Sequence, residues 1–121
     1  MLFYLYLTNL ILLIVHEIDS AYWKEWDLFK LKGGKDVFLL LHFPLLFVMI
    51  LGLVWIREGK LWGLILSLLL AASGIFAWFI HSYFLRKGNP EFDVPLSKAI
   101  LWLFFAVSMF QGIFTLKLFW Q

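Results

Sequence analysis

Four long apolar stretches, separated by short polar connections, constrain the fold of this chain more than any other feature. They cover residues 2–22, 36–56, 61–85 and 96–118, with ends placed to within a few positions. A helix rises about 1.5 Å per residue, so each stretch is long enough to cross the hydrocarbon layer of a membrane. Isolated strands cannot satisfy their backbone in lipid, and these stretches lack the alternation of barrel strands. The sequence therefore predicts an all-α fold, an integral membrane four-helix bundle.

The composition argues against a water-soluble alternative. Hydrophobic residues make up 64% of the 121 residues, whereas a soluble domain is about half apolar. A chain this short cannot bury so much apolar surface in one core. We therefore expect residues 1–121 to form a single membrane domain whose main partner is membrane lipid, with no nucleic-acid partner. The absence of cysteine also excludes thiolate metal ligands and disulfides.

The connections fit this topology. Residues 57–60 form a tight polar turn, and residues 86–90 contain the Gly, Asn and Pro that commonly end a helix. Residues 24–34 mix aromatic side chains with lysines, which is typical of a segment lying in the membrane interface. A surface loop with aromatic anchors is the alternative interpretation of that segment.

Lysine and arginine are unevenly distributed between the two faces of the predicted bundle. Alternating topology places seven of them on one face: Lys24, Lys30, Lys32, Lys35, Arg86, Lys87 and Lys98. The other face has three: Arg57, Lys60 and Lys117. The positive-inside rule then puts the first face in the cytoplasm and both chain termini outside.

Three histidines, the whole complement of the chain, fall at a similar depth in three different stretches. His16, His42 and His81 lie about 12, 9 and 8 Å from the same predicted membrane face. Ionisable groups inside a membrane are energetically costly and usually mark a function. Their convergence at one level predicts a functional site near the cytoplasmic face.

The residue types around this layer suit a transition metal. Asp19 follows His16 by three positions, so both side chains can reach one point from one helix face. Three imidazoles and a carboxylate match the ligand preferences of zinc. We therefore predict Zn²⁺ as the cofactor and divalent-metal partner, with ligands His16, Asp19, His42 and His81. Glu17 lies about 100° around the helix from His16, a position that suits a catalytic base acting on metal-bound water. The more specific form of the zinc hypothesis is that the protein is a hydrolase of lipid-like substrates.

Three other interpretations remain open. In the first, the protein is a proton-coupled small transporter that works through Glu17, and a homodimer is then expected. In the second, it is a structural or partner-binding membrane subunit whose histidines only join helices. Haem between two histidines is the third and is less favoured, because the third histidine and the acids would then have no role.

A stripe of Ser108, Gln111 and Thr115 in the fourth stretch predicts helix–helix contacts, with Gln111 pairing with Asn9.

A resemblance adds to this interpretation. The run from His16 to Trp23 reads His-Glu-Ile-Asp-Ser-Ala-Tyr-Trp, and it is followed by Glu25-Trp26, Gly33-Gly34 and Leu41-His42-Phe43-Pro44. This pattern resembles a family of small, uncharacterised bacterial membrane proteins over most of the chain. The resemblance implies the bacterial inner membrane as the setting and brings no activity.

Two better understood groups of membrane proteins share some of these residue types. Small multidrug-resistance transporters are similar in size and have an essential membrane glutamate in the first of four helices, a role that resembles that of Glu17. Membrane hydrolases of the ceramidase and progestin-receptor type use three histidines and an aspartate around zinc, often with a serine. Ser20 or Ser82 would correspond to that serine, although those hydrolases have seven spans and different spacings.

Overall fold

The computed structural model describes residues 1–90 and 92–120. Within them the chain forms five helices: α1 (Leu2–Tyr22), α2 (Glu25–Leu28), α3 (Gly34–Arg57), α4 (Leu61–Arg86) and α5 (Pro95–Phe119). By length and composition α1, α3, α4 and α5 can each span a membrane. No strand occurs in the part of the chain described. The predicted all-α, four-helix membrane bundle is therefore confirmed.

The short helix α2 folds back toward the bundle because the backbone turns sharply on both sides of it. Lys24 has a φ of 54° and Gly33 a φ of 94°, and both values lie in the left-handed region. Most L-residues avoid that region, and a helix cannot continue through it. The Trp26 ring contacts Phe38 on α3 with centroids 5.3 Å apart. The segment after α1 therefore packs against the end of the bundle near residue 38.

Glycines set how closely the long helices approach one another. A methyl group at Gly74 on α4 would overlap the Ser108 hydroxyl and the Phe104 ring of α5. A methyl group at Gly63 would meet the backbone of Ile56 on α3. Small residues allow this kind of approach between membrane helices. Helices α3 and α4 are therefore in close contact near the turn that joins them.

Buried polar side chains join α1, α4 and α5 in the middle of the bundle. The Asn9 amide donates to the Ser108 hydroxyl at 3.0 Å, and the Gln111 amide donates to the Ser67 carbonyl oxygen at 2.9 Å. The hydroxyls of Ser67 and Thr115 are 2.7 Å apart. All five side chains are fully buried. The stripe on α5 does face neighbouring helices, but the expected pairing of Asn9 with Gln111 is wrong, because Asn9 pairs with Ser108 and the Gln111 amide donates to Ser67 on α4 instead.

Candidate functional site

A cavity of about 290 Å³ lies between α1, α3 and α4 and is bordered by α2. Its ionisable lining consists of His16, Glu17, Glu25, His42 and His81. Apart from Ser73, the other lining residues are apolar or aromatic. No lysine or arginine is among the described residues that line it. The structure thus brings the three histidines to one cavity, together with two carboxylates.

His42 and Glu17 form the closest polar contact in this cavity. His42 Nδ1 lies 2.6 Å from the Phe38 carbonyl oxygen, and its Nε2 lies 2.6 Å from Glu17 Oε2. A carbonyl oxygen can only accept, so Nδ1 carries a hydrogen and donates it. In a neutral imidazole Nε2 would then be bare, and an ionised carboxylate also has no hydrogen to donate. The contact between Nε2 and Oε2 therefore requires one further proton, held between the two side chains.

His81 and Glu25 form a second histidine–carboxylate pair. His81 Nε2 lies 3.3 Å from Glu25 Oε1, and the His81 side chain is only 1% exposed. The Nδ1 atom of His81 has no hydrogen-bond partner among the described residues. With Nε2–H donating to the carboxylate, a neutral ring leaves Nδ1 as a buried, bare acceptor. Such an atom can accept a proton or bind an ion.

Glu25 lies outside the membrane-spanning helices, and its environment perturbs its acidity. Burial raises the pKa of the Glu25 carboxyl, but the hydrogen bond from His81 and the electrostatic attraction to that ring act in the opposite direction. The attraction is the stronger effect in sum, so the pKa of Glu25 lies below its usual value. The ionised carboxylate is therefore the form that holds α2 against His81.

His16 completes the polar end of the cavity. It is buried on α1, and its ring lies edge-on to His81 with centroids 5.0 Å apart. The centroid of the Phe104 ring on α5 lies 5.7 Å from the centroid of the His16 ring. His16 therefore lies between the His81–Glu25 pair and the aromatic ring of Phe104.

Asp19 is placed differently from the other predicted ligands. Its Oδ1 accepts a hydrogen bond from the Ser97 hydroxyl on α5 at 3.0 Å, and Asp19 does not line the cavity. Three residues correspond to about 300° of helix rotation, so Asp19 lies about 60° around α1 from His16. That rotation brings it to the start of α5. Ser20 and Ser82 also lie outside the cavity lining.

No group of three or more histidine, aspartate or glutamate side chains is arranged to hold a metal ion within residues 1–90 and 92–120. Zinc coordination by His16, Asp19, His42 and His81 thus stays a prediction. The cavity does contain one acidic residue that the sequence interpretation assigned only to the interfacial segment, namely Glu25. Its position gave no signal for this placement, because Lys24 and Glu25 both lie between Trp23 and Trp26.

Comparison with known proteins identifies a family and no function. A model of a family of unknown function (DUF6713) matches residues 2–118. No curated protein and no solved structure matches the chain significantly.

Proposed function

We propose that this chain, which belongs to the family of unknown function DUF6713, is a small proton-coupled membrane transporter. Its cationic ligand displaces the proton held between His42 and Glu17. The binding centre is the cavity between α1, α3 and α4. This is the transporter interpretation of the sequence, with Glu17 as the coupling residue.

The single observation that carries the proposal is the 2.6 Å contact between His42 Nε2 and Glu17 Oε2, with Nδ1 already committed to a carbonyl oxygen. The pair can release its proton only if another positive charge arrives, because an unpaired carboxylate in a membrane is costly. Ligand binding and proton release are linked for this reason.

The charge of the lining supports a cation as the ligand. The cavity is lined by Glu17 and Glu25 and by no lysine or arginine among the described residues. An anion would face two carboxylates, and the two histidines beside them, His42 and His81, are already paired with those carboxylates. A cation would instead form an ion pair with Glu17 while His42 returned to its neutral form.

The experiment measures proton release when a compact hydrophobic cation binds. Benzyltrimethylammonium is titrated into protein in lipid nanodiscs under weak buffering, and bound ligand and released protons are counted together. We expect up to one proton released per bound cation, and an affinity that rises up to about tenfold per pH unit while the pair holds its proton. Glu17→Gln should abolish both effects.

Asp36→Asn provides the matched control, because it also removes one carboxylate but at a side chain that is 89% exposed and away from the cavity. This variant should behave like the wild-type protein. Binding with the same affinity at every pH, or proton release that survives Glu17→Gln, would contradict the proposed coupling.

Zinc binding is the second candidate, and the orientation of two histidines favours it. His42 Nδ1 is fixed by the Phe38 carbonyl, and His81 Nε2 faces the Glu25 carboxylate. Outer partners of this kind orient zinc-ligating histidines and leave the opposite nitrogen for the metal. A zinc ion would replace the shared proton, after movement of side chains toward a common point.

Elemental analysis of protein purified without chelators tests this candidate. About one zinc per chain, lost in His42→Ala and in His81→Ala but kept in Asp36→Asn, is the result that favours it. Asp19→Ala then decides whether Asp19 leaves Ser97 to join the ligands. The hydrolase hypothesis, with Glu17 as base toward lipid-like substrates, follows only from a bound ion. Protein that contains no zinc and still binds benzyltrimethylammonium at full capacity would exclude both the zinc site and the hydrolase hypothesis.

Orientation and assembly belong to the same proposal. The resemblance of the sequence to small bacterial membrane proteins supports a bacterial inner membrane as the setting. The distribution of lysine and arginine supports both termini outside and the cavity toward the cytoplasm. Because the chain has no cysteine, single exposed positions report the topology. An impermeant maleimide should label Lys60→Cys but not Lys30→Cys in intact cells. Chemical cross-linking in the membrane then tests the homodimer that the transporter interpretation predicts.

A further inference from the structure

We infer from two exposed side chains in its lining, one on α3 and one on α4, that the cavity opens between these helices at the side of the bundle. The two helices touch near their connecting turn, where Gly63 lies against the backbone of Ile56. Toward the opposite end the cavity separates them, with Leu41 on one side and Phe76 on the other. Both side chains line the cavity and are also exposed, at 55% and 64%. The helices therefore diverge, and the gap is bordered by apolar side chains.

The depth of these residues decides what lies outside the gap. Phe76 precedes Arg86, at the end of α4, by ten positions, or about 15 Å along the helix. Leu41 lies on α3 beside the exposed apolar residues Leu40 and Phe43, and α3 can span a membrane by length and composition. The surroundings of the opening are therefore lipid hydrocarbon rather than water. A ligand that uses this opening must be soluble in the bilayer.

The inner end of the cavity has the opposite character. His16 and His81 are buried there, and the Glu17 side chain is 17% exposed. A cavity with an apolar opening and a polar inner end fits an amphiphile whose head group is inside and whose chain extends toward lipid. The rings of Trp26 and Phe38 line the same space and can contact a cationic head group through their faces.

Charge and volume narrow the class of amphiphile. Two carboxylates and no described lysine or arginine line the cavity, and His42 and His81 are already paired with those carboxylates. The charge of the lining therefore favours a cationic head group over a phosphate or sulfate. The volume of about 290 Å³ is at the small end of the range for small-molecule sites, about 300–1,000 Å³. Such a space suits one alkyl chain and not the two chains of a phospholipid.

We propose that the ligand is a single-chain cationic amphiphile that enters sideways from the bilayer between α3 and α4 and places its ammonium group beside Glu17 and His42. This inference rests on the proposed function for the exchanged proton, but the entry route and the ligand class stand on the shape and charge of the cavity. The bilayer, rather than the aqueous phase, supplies the ligand.

Binding of decyltrimethylammonium to the protein in nanodiscs tests the ligand class. Decyl sulfate carries the same chain with the opposite charge, and tetramethylammonium carries the same head group without a chain. We expect both to bind at least tenfold more weakly than decyltrimethylammonium, and Glu17→Gln to weaken its binding at least tenfold while Asp36→Asn leaves it unchanged. Equal binding of the cationic and anionic amphiphiles would overturn the proposal.

Photolabelling of the wild-type protein tests the route without any substitution. A decyltrimethylammonium analogue with a diazirine at the end of its chain should label residues 38–45 of α3 and 73–80 of α4. Excess unlabelled decyltrimethylammonium should compete for these sites. Label spread over the lipid-facing surface of α5, for example at Phe110, which is 72% exposed, would contradict lateral entry.

The two proposals fail in distinguishable ways. If decyltrimethylammonium does not bind while benzyltrimethylammonium still releases a proton through Glu17, the ligand class is wrong and the proton-coupled function stands. If decyltrimethylammonium binds and labels the gap without releasing a proton at any pH, the coupling is wrong and the ligand class stands.

Discussion

Removing Glu17 and His42 singly and together measures how strongly the two side chains depend on each other. Their contact of 2.6 Å joins side chains that are 17% and 20% exposed. A hydrogen bond to a charged group contributes about 1.5–3 kcal/mol to stability, and partial exposure reduces this value through solvent screening. We therefore expect a coupling energy of about 1–2 kcal/mol from the Glu17→Ala and His42→Ala double-mutant cycle.

The assay is reversible unfolding in mixed micelles of increasing dodecyl sulfate content, followed by circular dichroism. Each single variant leaves one ionisable group without its partner, so the double variant should be more stable than the sum of the two single losses predicts. The exposed pair of Lys35 and Asp36, whose atoms are 3.8 Å apart, provides the control cycle and should show no measurable coupling. Additive losses for Glu17 and His42 would refute the shared proton as a stabilising contact.

Two further predictions concern the surroundings of the cavity. The pKa of Glu25 is lowered in the folded protein, so its contribution to stability is present above the unfolded value of about 4.3 and is lost as pH falls through the folded value. Glu25→Gln should flatten the acid side of the unfolding profile, and an unchanged profile would show that His81 does not hold this carboxylate. Gly74→Ala should destabilise the bundle by about 1–3 kcal/mol, because its methyl group would overlap Ser108. Gly112→Ala, whose methyl group would meet Ala71 of α4 at an ordinary 3.5 Å, is the control, and similar losses in both variants would show that the overlap with Ser108 is not the cause.

The fold was predictable because lipid imposes few alternatives. Four apolar stretches of sufficient length specify four helices, and α1, α3, α4 and α5 follow those stretches closely. Alternating topology also fixes depth, which is why His16, His42 and His81 could be assigned to one level. These inferences need helix rise and chain order, and both can be obtained from the sequence.

The pairing of side chains within the layer was not predictable in the same way. Depth does not specify how each helix is rotated or which helices are neighbours. Asp19 was grouped with His16, but it faces Ser97 because α5 lies beside that part of α1. Glu25 reaches His81 because Lys24 adopts a left-handed backbone conformation, and a lysine gives no indication of such a turn.

The protonation state of His42 tests the central claim most directly. The chain has three histidines, so histidine labelled with ¹⁵N in the ring gives a spectrum that single substitutions can assign. At neutral pH we predict a hydrogen on Nδ1 of His42 and a second, strongly hydrogen-bonded proton shared by Nε2 and Glu17, which disappears in Glu17→Gln. A neutral ring with a bare Nδ1, or a spectrum of His42 that Glu17→Gln leaves unchanged, would contradict it.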